Sequence, residues 1–311
     1  VYGSIFTTRQ ETILTCGATV ENKDDRRRWG TDQRLEFIEF RLFWDGAVNR
    51  GDITSHFGVS VPQASNDLSR YKELAADNLQ YDASNKRYEP TPTFRPRFFK
   101  PNAERYLAQL RAIAEDVIDV AETPMGELPD LGVMPIPRRR VEPKILRRLL
   151  QAVQERRPLH INYQSMSDDR PEPTWRTISP HALGFDGLRW HARAYCHLEK
   201  LFKDFIISRC LAVGDVGLAE GEPTEDRDWH TFFEVVLKPN PRLSKAQQAT
   251  IAMDYGMEDG KCVVPVRMAL LYYFDKRLRL DIAGTKDRPK ETPVVIDNQK
   301  AYDAALKSVA Y

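Results

Sequence analysis

Residues 52–71 read Asp-Ile-Thr-Ser-His-Phe-Gly-Val-Ser-Val-Pro-Gln-Ala-Ser-Asn-Asp-Leu-Ser-Arg-Tyr, and the break in their middle decides the fold of the N-terminal third. Ile53 and Phe57 lie one turn apart, so about Asp52–Phe57 makes a short helix. Gly58 stands where that helix must stop, because glycine enters the left-handed region without the steric cost of a Cβ. Ser60 and Gln63 have the spacing of a capping box, and Pro62 suits a first helical turn, where its missing N–H is no loss. The helix that follows buries Ala64, Leu68 and then Tyr71 or Ala75.

Upstream, Thr31 to about Trp44 predicts a further helix with Leu35, Ile38 and Leu42 inward. Downstream, Leu79–Tyr81 and Arg87–Glu89, joined through Ser84-Asn85-Lys86, predict a hairpin. The outer face of the third helix carries Gln63, Asn66 and Arg70, with Ser65 beside them. Amide and guanidinium groups there suit the paired donors and acceptors of adenine and guanine in a major groove. Ser60 and Ser65 suit phosphate, as do Lys86 and Arg87 on the hairpin. Together these are the parts of a winged helix-turn-helix that binds double-stranded DNA. The competing reading is a plain helical hairpin with a solvated polar face.

Composition limits the alternatives. A chain of 311 residues has room for two or three domains. Lys and Arg number 46 against 45 Asp and Glu, a formal charge of +1, so any nucleic-acid surface must be a local patch. The cysteines, Cys16, Cys196, Cys210 and Cys262, form no CxxC pair and no disulfide framework, which fits reduced thiols. No run of about 18 apolar residues suggests a membrane span, and no basic-then-apolar start suggests a signal peptide. A cytoplasmic protein is therefore expected. Zinc is not expected: His191, Cys196 and His197 lie close together, but no second ligand pair stands at zinc spacing. No cofactor and no catalytic residues are assigned. Clustered carboxylates for metal and paired histidines, the marks of a nuclease or phosphodiesterase, are both missing from the pattern.

Past the hairpin, Pro90, Pro92, Pro96 and Pro101 punctuate a connector. A helix from near Asn102 follows, with Tyr106, Leu107, Leu110, Ile113, Ala114, Val117 and Ile118 on one face. Residues 123–141, rich in Pro and Gly, read as a linker. Pro143 opens another helix carrying Ile145, Leu146, Leu149, Leu150 and Val153, closed by Pro158. Four strand runs follow, His160–Ser165, Thr177–Gly184, Leu188–Cys196 and Lys203–Leu211, the second and third joined in a hairpin through Gly187.

The segment 145–215 resembles the WYL domain of bacterial regulators. The resemblance rests on His160-Ile161-Asn162-Tyr163-Gln164-Ser165, on Ile178-Ser179-Pro180-His181-Ala182-Leu183, on Leu188 to Cys196, and on Phe205-Ile206-Ile207-Ser208-Arg209. The Trp-Tyr-Leu triplet is reduced to Trp190-His191-Ala192. Such a domain implies a small Sm-like β-barrel with a pocket for a nucleotide or nucleic-acid effector, and Tyr163, Ser165, His181, Arg193 and Arg209 match its pocket pattern. Arg forks suit phosphate, and Tyr, Ser and His supply neutral donors or a stacking face. The alternative pairs each arginine with an internal carboxylate such as Asp186 or Asp204, and His181 serves equally as a structural histidine.

Over residues 30–290 the chain resembles the WYL repressors encoded beside phage-defence systems such as BREX and CBASS. That implies an α+β multidomain chain: an N-terminal extension (1–28), a winged helix-turn-helix (29–92), a connecting helix and linker (93–142), the WYL domain (143–215) and a mixed α/β C-terminal dimerisation domain (216–311). The last is placed on Glu234–Leu237, Lys261–Val266, a helix near 244–254 capped by Ser244, and a helix at 267–279 whose Met268, Leu271 and Tyr272 read equally as core. The resemblance implies a homodimeric repressor that binds an inverted-repeat operator and is released by its effector. A non-specific single-strand sensor is the other binding role to be weighed.

Overall fold

In a computed structural model the protein is described over residues 23–214, 225–283 and 288–309, with the side chains of 23–29 excepted. The chain forms two compact units, Val1–Pro135 and Ile136–Tyr311.

In the first unit, α1 (Lys23–Trp44), α2 (Arg50–Phe57) and α3 (Val61–Leu74) surround one core. Leu35, Ile38, Leu42, Ile53, Ala64, Leu68, Tyr71 and Ala75 pack there, the residues expected on the inner faces. Gly58 takes φ +63° at the end of α2, as its position required. Two helix starts differ from expectation. α1 begins before Thr31, and α2 begins at Arg50 because Asn49 and Asp52 cap one another reciprocally. At α3 only half of the expected box forms. The Gln63 N–H donates to Ser60 Oγ (3.4 Å), but the Gln63 side chain turns to Asp67 instead. β1 (Leu79–Asp82) and β2 (Arg87–Pro90) pair antiparallel as the wing.

A buried carboxylate ties the connector to these helices. Glu39 on α1 accepts from the backbone N–H groups of Arg97, Phe98 and Phe99 (2.6–2.9 Å) and from the Tyr71 hydroxyl (2.9 Å). α4 (Ala103–Ala114) is capped by Asn102 and stops short of Val117. Its apolar stripe is less buried than its spacing suggests. Leu110 is buried, but Leu107 and Val117 stand exposed. Part of the expected linker is packed instead: Met125 is buried against Phe40 and Leu110, and the Gly126 N–H donates to Asp45 (3.1 Å). Pro and Gly mark a lack of regular structure there rather than a lack of contacts.

The second unit opens with α5 (Pro143–Glu155), then β3 (Leu159–Tyr163), β4 (Thr174–Phe185), β5 (Trp190–Cys196), β6 (Leu201–Ile206) and β7 (Cys210–Val213). The sheet order is β6-β5-β4-β3-β7, so β6 and β7 are opposite edges. Only the 3₁₀ turn at 207–209 joins them. Four steps of chain reach at most about 14 Å, against about 19 Å across five flat strands. The edges must therefore approach, which curls the sheet into the expected Sm-like barrel. The Ile206 N–H reaches across to the Tyr163 hydroxyl (3.1 Å). The run expected at 203–211 is thus two strands separated by the turn that closes the barrel. Inside lie Ile161, Tyr163, Ile178, Ala192, Ala194, Cys196 and Phe205, covered by Ile145, Leu149 and Ala152 of α5.

The C-terminal part comprises α6 (Arg227–His230), β8 (Phe232–Pro239), α7 (Lys245–Asp254), β9 (Cys262–Arg267), α8 (Leu271–Arg277), α9 (Leu280–Ala283), β10 (Val294–Ile296) and α10 (Gln299–Ser308). The strands form a three-stranded antiparallel sheet in the order β10-β8-β9. Val235, Leu237, Val266, Leu271 and Tyr302 make its core. Ser244 caps α7 as expected, completing a box with Gln247. The helix expected over 267–279 is a 3₁₀ turn followed by α8. Leu271 is core, whereas Tyr272 is exposed. Cys196 and Cys210 are buried and Cys262 half-buried, while Cys16 lies outside the described residues. Among the described residues, no helix is long and apolar enough to cross a membrane.

Candidate nucleic-acid interface and effector pocket

The first set of candidate residues lies on α3 and the wing. Asn66 and Arg70 are exposed one and two turns beyond the start of α3, and Gln63 is half-buried beside them. This i, i+3, i+7 spacing gives one face. Ser60 is exposed at the N-cap. Ser65 donates its hydroxyl to the Val61 carbonyl (3.0 Å), which leaves its oxygen as an acceptor only. Gln63 Nε2 donates to Asp67 Oδ1 (3.0 Å). Asp67, itself 2% exposed, also takes a two-pronged contact from Arg34 (2.6 and 3.3 Å). On the wing, Lys86 is exposed in a left-handed turn (φ +52°), whereas Arg87 is held by Glu89 (2.7 Å). The face is therefore open, with Asn66, Arg70 and Lys86 as its unengaged groups and Gln63 and Arg87 already oriented by carboxylates.

The second set divides between the two faces of the barrel wall. Successive residues of a strand point to opposite faces. Tyr163 is inward on β3, where its hydroxyl accepts from Ile206. Burial raises the Tyr163 pKa, against the pull of the Arg209 and Arg176 guanidiniums beside it. Arg176 lies over the tyrosine ring at 5.5 Å. Its side chain is only 1% exposed, it pairs with Glu199 (3.5 Å), and its Nε has no hydrogen-bond partner. Among the described residues, no carboxylate pairs with Arg209. Ser165 is half-buried, its Oγ accepting from the Ser167 N–H (3.2 Å). Tyr163, Arg176 and Arg209 thus meet at one end of the barrel, with Ser165 two residues beyond Tyr163.

His181 and Arg193 are elsewhere. On β5, Ala192, Ala194 and Cys196 face the core, so Arg193 points outward, where it is nonetheless 4% exposed. Asp226, just before α6, covers it. Arg193 Nε and a terminal nitrogen donate to both Asp226 oxygens (2.6 and 3.1 Å), and Asp204 is 3.4 Å away. His181, at a register shift in β4, bonds the same Asp226 (3.0 Å). Burial pushes the Asp226 carboxyl up, but hydrogen bonds from His181 and Arg193 and the Arg193 charge outweigh it and hold its pKa well below the usual carboxylate range. Arg193 is thus paired internally, with Asp226 as its main partner, on the face of β5 turned away from Tyr163. Asp186 instead takes Arg189 (2.8 Å) and His191 (3.0 Å). His191 and Cys196, which the sequence places near each other, face opposite sides of β5.

Three family descriptions match along the chain. Residues 30–112 match the BrxR transcriptional regulator winged helix-turn-helix domain, 144–213 the WYL domain, and 232–302 the BrxR transcriptional regulator C-terminal dimerization domain. The DNA-binding transcriptional repressor CapW of Stenotrophomonas maltophilia is 42% identical over 272 residues, 87% of this chain and 90% of that one. The chain belongs to the CapW repressor family. CapW of Escherichia coli strain KTE188 is 38% identical over 90% of this chain and 93% of its own, and CapW of Pseudomonas aeruginosa 40% identical over 88% and 90%.

Three residues of these two sets escaped sequence reading. Arg176 was hidden in a β-rich stretch, although it occupies the same-face position between Thr174 and Ile178. Asp226 belongs to a stretch without periodicity, so its pairing with β5 has no local signal. Asp67 lies on α3 at i+4 from Gln63, a spacing that permits their hydrogen bond but does not demand it.

Proposed function

We propose that this chain is a homodimeric, ligand-gated repressor of a phage-defence operon, acting on DNA in the cytoplasm. Two winged helices held by the C-terminal domains read the halves of an inverted repeat, and an effector in the barrel releases them. The exposed Asn66–Arg70 face of α3, in a chain of the CapW family, carries the reading. Two half-sites multiply the discrimination of one and double the phosphate contacts.

The barrel end where Tyr163, Arg176 and Arg209 meet, with Ser165 two residues beyond Tyr163, suits a phosphate-bearing nucleotide or nucleic acid: guanidiniums for phosphate, an aromatic ring for stacking. His181 and Arg193 have a different part. Bound to Asp226, they link the barrel wall to the segment entering the C-terminal domain, so a barrel that changes shape around its effector shifts the dimer. Release requires the effector to bind the two dimer geometries with different affinity. This role needs no catalytic step.

Gel-shift with the DNA upstream of the protein's own gene tests the proposal. Binding that needs both half-sites and weakens with salt supports it. Absence of palindrome-dependent binding rejects it. Salt-sensitive binding to single strands alone would favour the sensor, and metal-dependent cleavage of labelled DNA or RNA by the pure protein would favour an enzyme.

A further inference from the structure

The half-formed cap at α3 leaves the Gln63 amide in one orientation, and that orientation bears on which base it reads. A free glutamine amide rotates by half a turn and exchanges its donor and acceptor ends at little cost, so it tolerates several bases. Gln63 does not have that freedom. Its partner Asp67 is a carboxylate, which only accepts, so the NH₂ end faces Asp67 (3.0 Å) and the opposite orientation would set oxygen against oxygen. Asp67 cannot swing away, because Arg34 on α1 grips both of its oxygens (2.6 and 3.3 Å) in a nearly buried pair. Thr31 Oγ1 accepts from the same guanidinium (3.3 Å), fixing it in turn.

We infer that the Arg34–Asp67 pair is a specificity device: it locks Gln63 with Oε1 and one remaining Nε2–H outward, a pattern that selects adenine against guanine. The inference rests on the reading of α3 as the groove-facing helix. Adenine offers an N6 amine to Oε1 and an N7 acceptor to the N–H, and both bonds form. Cytosine offers an amine alone and gives one bond. Guanine offers two acceptors, O6 and N7, so Oε1 meets oxygen and is repelled. Asp67 and Arg34 touch no base themselves; they are positioning residues, and their effect is confined to the one base pair that Gln63 contacts.

The test is selection of duplexes from a pool with randomised positions, with sequencing, for the full-length wild type, Q63A and D67N. Wild type should prefer adenine over guanine at one position per half-site by about 5- to 150-fold, the range for a single bidentate pair. Q63A should lose that preference. D67N offers a neutral amide that accepts either end of Gln63, so the preference should fall below about threefold there while every other position is unchanged. A merely structural role for Asp67 would weaken all positions together. Should D67N not fold, R34M/D67N removes the cation with the anion and carries the same expectation. Retention of the adenine preference in D67N, or a wild-type preference for guanine at that position, overturns the inference alone. If Q63A alters no position, Gln63 reads no base and the inference falls with it, while continued palindrome-dependent binding would leave the repressor reading standing.

Discussion

Arg193 and Asp226 meet through two hydrogen bonds, 2.6 and 3.1 Å, that join β5 of the barrel to the entrance of the C-terminal domain. Both are almost fully buried. Such a pair returns little net stability while intact, but loss of one partner leaves the other charge stranded. Arg193→Ala, which strands Asp226 and Asp204, should cost about 3–5 kcal/mol in urea unfolding. Arg209→Ala, which strands no carboxylate, should cost about 1 kcal/mol, the worth of an ordinary hydrogen bond to Tyr163. Operator binding by Arg209→Ala should persist and its release by effector disappear. Equal destabilisation by the two would show that the arginines do not divide as the geometry says.

Acid should act on the same face. In the folded chain Asp186 lies at about 2: burial raises it, but hydrogen bonds from Arg189, His191 and two backbone N–H groups lower it further. Asp226 is likewise depressed, and both start from an ordinary value of 3.8. The unfolded chain therefore takes up these protons first. The stability they confer is complete above the ordinary value and is lost as pH falls through it toward the folded values. Urea midpoints measured from pH 7 down to pH 3 should drop for wild type mainly below about pH 4. Asp186→Asn should start lower and fall less steeply. An identical slope in both would contradict the depressed pKa.

The pattern of the chain made some of this legible and concealed the rest, for physical reasons. Periodicity reports burial within one element, so Ala64, Leu68, Tyr71 and Ala75, and the glycine turn before them, could be read directly. The WYL resemblance supplied the barrel, which the short loop between β6 and β7 then required. Pairings between elements have no local signal: Asp226 is 33 positions from Arg193, and Asp67 is 33 from Arg34. A charged residue in an apolar strand suggested a pocket equally well as an ion pair. Only the register of β5 separates the two, by turning Arg193 away from Tyr163.

Glu39 is a second such residue, invisible in a helix whose other buried positions are apolar. Its carboxylate satisfies three backbone N–H groups of the connector and the Tyr71 hydroxyl. Glu39→Ala should cost at least about 3 kcal/mol, because several buried donors lose their acceptor together. Glu39→Gln, which keeps one acceptor oxygen, should cost roughly half as much. Thermal unfolding of the pair checks the order, and a smaller loss for the alanine would mean that water replaces the carboxylate freely.

Salt dependence separates the groups that hold phosphate from those that read bases. Lys86 is exposed at the wing tip with its charge free, while Arg87 is partly neutralised by Glu89. Each phosphate contact contributes about 0.9 to the slope of log affinity against log salt. A dimer presents two wings, so Lys86→Ala should reduce the slope by about 1.8 and weaken all operators alike. Arg87→Ala should reduce it by less, because its charge is already partly spent on Glu89. Asn66→Ala should leave the slope as it is and lower affinity for the native half-site by about 1–3 kcal/mol relative to an altered one. Titrations of each variant at four or five salt concentrations, on native and altered operators, measure both quantities together. A changed slope for Asn66→Ala, or an unchanged one for Lys86→Ala, would mean that the wing and α3 meet DNA the other way round.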